Sequence, residues 1–393
     1  MSKLTLVLVI AVLTTAWGLF GCAPQPAAPT ETATKAPAAA KSTAAPAATA
    51  AAPSWQDRWE TMKAAAKKEG KVTLYGVTGT EMRNVLSSVK DKFGFEVDYL
   101  PGTGMELLTR MKAEQQAGLA IPDLLLVGPG PLISSYKQAG MLGNMRDMLV
   151  LPEVLDTNIW MGNKLPFMDK DQTVVGYIAG YGARITVNND MVKDGEFNSY
   201  RDLLNPKWKD KIVMIDPTIT TSGTQWATFL LMKAYGWDAG VQFLKEFAAQ
   251  NPLLTADKRL SAEWVVRGKY PVGVALNREE VSGFLAMGAP IRWLRVSEGS
   301  DVAPGGGGMS VGKNAPHPNA TAVFVNWFLS KEGQTAVSKS FGSPSARTDA
   351  PTEGLDPSMF IRPGEKYATA DEEFYMAMPK VVATVKEIFA QKK

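Results

Sequence analysis

From Trp55 onward the apolar positions of the chain switch repeatedly between two periods, and the switches mark out its elements. Trp55, Trp59, Met62 and Ala66 recur at helical spacing until Gly70, which predicts the stop. Val72-Thr73-Leu74-Tyr75 then reads as a short buried strand, and Gly76 to Thr80 as a polar turn. Glu81 to Phe93 returns to helical period, with Met82, Val85, Leu86 and Val89 on one face. The cycle recurs as strand over Glu96 to Leu100, loop over Gly102 to Gly104, helix over Met105 to Gln116, and strand over Leu124 to Val127 ending in the loop Gly128-Pro129-Gly130. Farther on, Arg184 to Asn188, Lys211 to Ile215 and Pro271 to Leu276 read as strands, and Asp216 to Thr224 turns into a helix bearing Trp226, Phe229, Leu230 and Lys233. Strands alternating with helices predict an α/β fold with a mostly parallel sheet. Ligands gather at the carboxyl ends of such strands, so the loops at Gly76, Gly102 and Gly128 are expected to wall one site.

The stretch before Trp55 follows neither period. Lys3 precedes an apolar run from Leu4 to Ala16 broken only by Thr5, Thr14 and Thr15, and the run ends in Leu19-Phe20-Gly21-Cys22. It reads as a signal-peptide core over residues 1–22, shorter than the ~20 apolar residues a bilayer span needs; the alternative is an uncleaved anchor helix from Leu4 to Phe20. Its last four residues resemble the bacterial lipobox, with Phe20 departing from the usual small or branched residue, and the resemblance implies lipidation of Cys22. Residues 23–53 are almost entirely Ala, Pro, Thr and Lys, with no aromatic, Leu or Ile to bury, and read as a disordered tether. A coil of that length spans roughly 30 Å, enough to lift a globule off a membrane. The body is therefore expected outside the cytoplasm, anchored to the membrane through lipid, whether in a periplasm or on an outer cell face.

Composition removes several functions. A formal charge of +3 gives no basic field able to hold a phosphate backbone, so nucleic acid is not expected as a partner. His317 and Cys22 are each the sole residue of their kind, which leaves Cys/His metal cages and disulfides without partners and a Ser-His-Asp triad dependent on one loop histidine. Neither cofactor nor enzymatic chemistry is expected.

Asn205-Pro206-Lys207-Trp208-Lys209-Asp210-Lys211-Ile212, the turn Thr221-Ser222-Gly223-Thr224, Gly268-Lys269-Tyr270-Pro271-Val272-Gly273-Val274 and Leu329-Ser330-Lys331-Glu332-Gly333-Gln334 resemble, in order and spacing, the extracytoplasmic solute-binding proteins of ABC transporters. The nearest branch contains the ferric-ion-binding proteins. The resemblance runs from Trp55 to the C-terminus and implies a two-lobe type 2 periplasmic-binding-protein fold with a ligand cleft between lobes that closes by hinge motion. It implies lobe 1 over 54–183 and 303–393, with the C-terminal tail packing on lobe 2, and lobe 2 over 184–302. A monomer is expected.

In the iron binders a His, a Glu and two adjacent Tyr hold the metal. Carried over, those positions fall at Gly79, Gly128, Arg278 and Glu279, so none of the ligands survives and Arg278 would repel Fe(III). The family's anion turn does survive, in Ser222, Gly223 and Thr224 at a helix start, where unsatisfied N–H groups suit phosphate or carboxylate; the alternative is that Thr221 or Ser222 simply caps the helix. Arg278, after Asn277, reads either as a fork gripping an anion or as a surface arginine paired with Glu279 or Glu280. Thr78 and Gly79 in the first loop, Gly128 and Pro129 in the third, and Tyr181 at the first crossing between lobes complete the expected ligand-binding set, Tyr181 as a stacking ring or as core. Gly305 to Gly308 would form the second crossing and a hinge. The expected function is capture of a small anionic organic solute for delivery to an ABC permease. The alternatives are metal uptake on the same fold and, from the paired Glu279 and Glu280, an extracytoplasmic hydrolase.

Overall fold

The computed structural model describes residues 53–303 and 307–390; the leader with Cys22, the linker up to Ala52, and Gly305 and Gly306 lie outside the described residues. Ser54 opens α1 (Trp55–Glu69) with a reciprocal cap, its hydroxyl accepting from the Asp57 N–H at 3.1 Å while Asp57 accepts from the Ser54 N–H, and Gly70 at φ 77° closes it. There follow β1 (Lys71–Gly76), α2 (Glu81–Leu86), α3 (Val89–Phe93), β2 (Glu96–Pro101), α4 (Gly104–Gln116), β3 (Leu124–Val127) and the one-turn α5 (Pro129–Pro131). The helix expected over 81–93 is thus two helices. Ser87 donates its hydroxyl to the Asn84 carbonyl at 2.8 Å, offering the backbone an alternative to the helical ladder, and the chain turns at Ser87 and Ser88. Gly128-Pro129-Gly130 differs too: Pro129 fits a first helical position and starts a turn where a loop was expected.

The chain continues through α6 (Pro152–Leu155), β4 (Val175–Gly176), β5 (Gly180–Tyr181), β6 (Ile185–Asn188), β7 (Ile212–Ile215), α7 (Ser222–Phe229), α8 (Trp237–Ala249), β8 (Leu253–Thr255), α9 (Lys258–Val266), β9 (Val272–Val274), α10 (Arg278–Ala286) and β10 (Ile291–Leu294). It ends with β11 (Ser300–Ala303), β12 (Gly308–Val311), α11 (Pro318–Leu329), α12 (Lys331–Phe341), β13 (Tyr367–Thr369) and α13 (Glu372–Ala390). The strands make two five-stranded sheets, ordered β2-β1-β3-β12-β4 and β10-β6-β9-β7-β8, and a three-stranded sheet, β13-β11-β5. In each large sheet a single strand runs against the rest, β12 in the first and β6 in the second. Each follows directly on a strand of the small sheet, β5 leading into β6 and β11 leading toward β12. The fold is therefore two α/β lobes joined through the small sheet. Gly307 and Gly308 serve close approach in this join: a Cβ would lie 2.7 Å from the Ile178 side chain at Gly307, and 2.5 Å from the Val127 carbonyl oxygen at Gly308.

The strands of both lobes are apolar runs because both faces are covered. Val72, Leu74, Leu124 and Leu126 pack with Val323, Phe324 and Phe328 of α11. On the opposite face, Tyr75, Leu125 and Val127 belong to one cluster that passes through Leu132 and Tyr136 to Phe374, Tyr375 and Met378 of α13, and on to Trp226, Phe243 and Phe247 of the second lobe. The last helix packs against α7 and α8 accordingly. Ion pairs hold its start from both sides: Lys137 reaches Glu372 at 2.7 Å and the buried Asp169 at 2.8 Å, while Lys233 of the second lobe reaches Asp371 at 2.9 Å.

Candidate functional site

Where the carboxyl ends of β7 and β9 approach the small sheet, the chain leaves a cavity of about 430 Å³. Ser222 and Gln225 of α7, Asn277 and Arg278 at the start of α10, Lys258 at the start of α9, and Arg184 and Asp301 at the two crossings line it, with Ile178 and Ser343 from the other lobe. This is the switch-point position that open α/β sheets offer a ligand.

Local chemistry fixes the walls. Thr221 caps α7, its hydroxyl accepting from the Gly223 N–H at 3.2 Å and donating to the Asp216 carbonyl at 2.5 Å. The fully buried Thr224 donates to the Pro217 carbonyl at 3.1 Å and accepts from the Thr221 N–H at 3.3 Å. Gly223 lies against β7, where a Cβ would stand 2.1 Å from the Ile215 carbonyl oxygen. Ser222 donates to the Ala275 carbonyl at 2.6 Å, and the Ala275 N–H donates to the Arg184 carbonyl at 2.7 Å. Ala275 is buried at φ 55°, a conformation that costs a residue with a Cβ on the order of 1 kcal/mol. One strained residue thus ties the start of α7, the end of β9 and the first crossing together.

Two guanidinium groups share the floor. Arg184 is buried and doubly bonded to the wholly buried Asp301, Nε to Oδ1 at 2.7 Å and Nη2 to Oδ2, and its Nη2 also donates to Gln225 Oε1 at 3.3 Å. Burial alone would lower its pKa; the Asp301 charge and hydrogen bonds outweigh that and raise it. Arg278 has no such partner. Its Nη2 donates to the Tyr181 carbonyl, its guanidinium carbon lies 5.5 Å from the centre of the Trp293 ring, and its Nη1 is buried without a hydrogen-bond partner. Burial and then the neighbouring Arg184 charge bring its pKa down to about 10, which leaves it positive at neutral pH.

Of the residues expected to bind ligand, Ser222, Asn277 and Arg278 line this cavity. Gly223 and Thr224 stand behind the wall, the first packing on β7 and the second pinning the turn. Tyr181 is buried, with its ring under the Arg295 guanidinium at 4.4 Å, and it offers the site its carbonyl. Thr78 and Gly79 are exposed on their loop, Gly128 is partly covered and Pro129 buried in α5; none of these four is among the lining residues. Lining residues outside the expected set include Arg184, Gln225, Lys258, Asp301 and Ser343. Gln225 carried a signal, since it follows Ser222 by three positions and shares its helix face. Among the described residues no group of three or more His, Cys, Asp or Glu converges as a metal site, and no helix is long and apolar enough to cross a membrane.

Residues 84–360 match the family model described as bacterial extracellular solute-binding protein. An uncharacterized protein of Haemophilus influenzae is 28% identical over 196 residues, 48% of this chain and 53% of that protein, so the chain spans about half the length of that curated relative. Among solved structures, iron-bound HitA from Pseudomonas aeruginosa superposes with a TM-score of 0.64 at 18% identity, covering 81% of this chain and 99% of that one. The periplasmic binding protein AfuA from Actinobacillus pleuropneumoniae, with fructose-6-phosphate bound, gives a TM-score of 0.61 at 21% identity, covering 81% and 97%. At these identities the two structures share its fold.

Proposed function

This chain belongs to the bacterial extracellular solute-binding proteins, and on that premise we propose that it captures a small anionic organic solute at Arg278 and delivers it to an ABC-transporter permease while tethered by lipid on Cys22. The observation that carries the reading is the Arg278 guanidinium: charged, without a carboxylate partner among the described residues, and with a buried Nη1 lacking any hydrogen-bond partner in a solute-sized cavity. An anion at the open Nη1 would complete the group, since a charge withdrawn from water costs free energy until a partner of opposite sign offsets it. In this reading the lobes divide at residues 184 and 303, Ser222, Asn277 and Arg278 grip the solute from the second lobe, and Thr78, Gly79, Gly128 and Pro129 meet it only when the lobes close.

HitA carries iron, but the positions of this chain that resemblance assigns to iron ligands hold Gly79, Gly128, Arg278 and Glu279, and the Arg278 charge opposes a bare cation. AfuA, solved with an anionic organic solute bound, is the better guide to the sign of the solute's charge. Binding without turnover is the expected activity. A thermal-shift screen of carboxylates, phosphonates, sugar phosphates, polyamines and Fe(III) tests it, since a ligand at 100 times its Kd adds about 2.7 kcal/mol to the folded state. Stabilisation by polyamines or Fe(III) and by no anion would refute the anionic reading. For the anchor, Cys22→Ala should abolish lipid attachment and processing, read by mass spectrometry of the membrane fraction; a processed, membrane-bound C22A protein would sink it.

A further inference from the structure

Resting on the reading of Arg278 as the anion anchor, we infer that the cavity takes a sugar acid: a polyhydroxylated compound bearing a single carboxylate. The charges inside the cavity nearly cancel. The buried Arg184 is matched by the buried Asp301 through two hydrogen bonds. At the mouth, Lys258 and Glu279 are exposed and of opposite sign. What remains in the interior is one positive charge, on Arg278. A carboxylate matches it one for one, and a planar fork suits a planar acid. A phosphate monoester brings a charge of about −1.5 to −2 at pH 7 and would leave a buried negative excess.

The rest of the solute is read from the uncharged lining. Ser222, Gln225, Asn277 and Ser343 present hydroxyls and amides, groups that both donate and accept. Asn277 stands at the helix start yet makes no side-chain cap bond, so its amide is free to turn to a ligand. Ser222 and Ser343 spend their hydroxyl protons on the Ala275 and Phe341 carbonyls and Gln225 Oε1 accepts from Arg184, so a plain aliphatic acid would leave unpaired the Asn277 amide, the Gln225 NH2 and the spare lone pairs of the two hydroxyls, whereas a chain or ring of hydroxyls pairs with them. The volume of about 430 Å³ accommodates a solute of sugar size.

Isothermal titration of the full chain in mild detergent, with D-galacturonate, D-gluconate, propionate, glucose 6-phosphate and galactose, tests the assignment. At least one of the two sugar acids should bind tenfold or more tightly than each of the other three. Arg278→Ala should weaken that binding at least tenfold, with Arg278→Lys recovering part of it, and Asn277→Ala should weaken it severalfold. Tighter binding of glucose 6-phosphate overturns the single-carboxylate assignment and leaves the anion anchor standing; binding of propionate as tight as the acids overturns the hydroxyl recognition. Absence of binding by both sugar acids overturns the class. Binding of galactose alone, or an acid whose affinity is unchanged in a folded Arg278→Ala protein, overturns the anchor itself.

Discussion

Arg278 keeps its charge beside Trp293 and near Arg184, in surroundings that lower its pKa from the ordinary guanidinium value to about 10. A depressed pKa on a cation means the charged form is held less well in the fold than in the open chain, so the empty protein bears the full cost at every pH below about 10 and recovers it only as pH rises from about 10 toward the unfolded value. Arg278→Met should therefore raise the stability of the empty protein by about 1–2 kcal/mol in urea unfolding while abolishing the anion's stabilising effect. A destabilised variant would mean that the bond to the Tyr181 carbonyl outweighs burial. Ala275 at φ 55° offers a parallel case: Ala275→Gly should add about 0.5–1 kcal/mol by the same assay, at some loss of ligand affinity. Arg278 was singled out because the family resemblance placed it at a ligand position just past the strand expected over Pro271 to Leu276; from its own residues it read equally well as a surface arginine. The role of Arg184 was not legible, since its partner Asp301 lies 117 residues away and a long-range buried pair leaves no local pattern. Thr224 was legible as part of the turn but not as its internal brace, because residue type alone does not distinguish a hydroxyl facing a ligand from one spent on the backbone.

Among the elements, α1, β1, β3 and α4 could be read because their apolar spacing is sustained and their ends are marked by Ser54, Gly70 and Thr103. The two-residue β4 and β5 left no period to read, being set by pairing with β12 and β11. The most exacting junction is the start of α13. Burial alone would raise the Asp169 pKa, but hydrogen bonds from Lys137, Thr173 and the Val174 N–H outweigh it and hold it below the usual carboxylate value. A depressed carboxylate contributes stability that is present above the unfolded pKa and lost as pH falls through the folded one, so this junction should loosen only below about pH 4. Lys137→Met leaves Asp169 buried without its cation and should cost about 3 kcal/mol, with Lys137→Met/Asp169→Asn recovering part of the loss; calorimetry of the three proteins decides it.

At the scale of the molecule, the Arg184–Asp301 pair binds the first crossing to the second, and both flank the cavity. Asp301→Asn should cost about 3–5 kcal/mol because it leaves Arg184 buried and charged beside Arg278, and Arg184→Gln in the same chain should restore much of it. An unchanged urea midpoint in Asp301→Asn would show that the crossings are held by backbone pairing alone. The position of β12 bears on how the protein is made. It sits between β3 and β4, yet a ribosome adds it only after every strand of the other large sheet has been synthesised. The sheet of the second lobe can thus be paired on the nascent chain, lacking only the cover of α13, while the sheet of the first still waits, open along its middle, for an inner strand. A chain ending at residue 303 should show partial protease resistance in the second lobe, rising when α13 is supplied, and resistance of residues 54–183 should follow only in chains that also include Gly308–Val311 and α11.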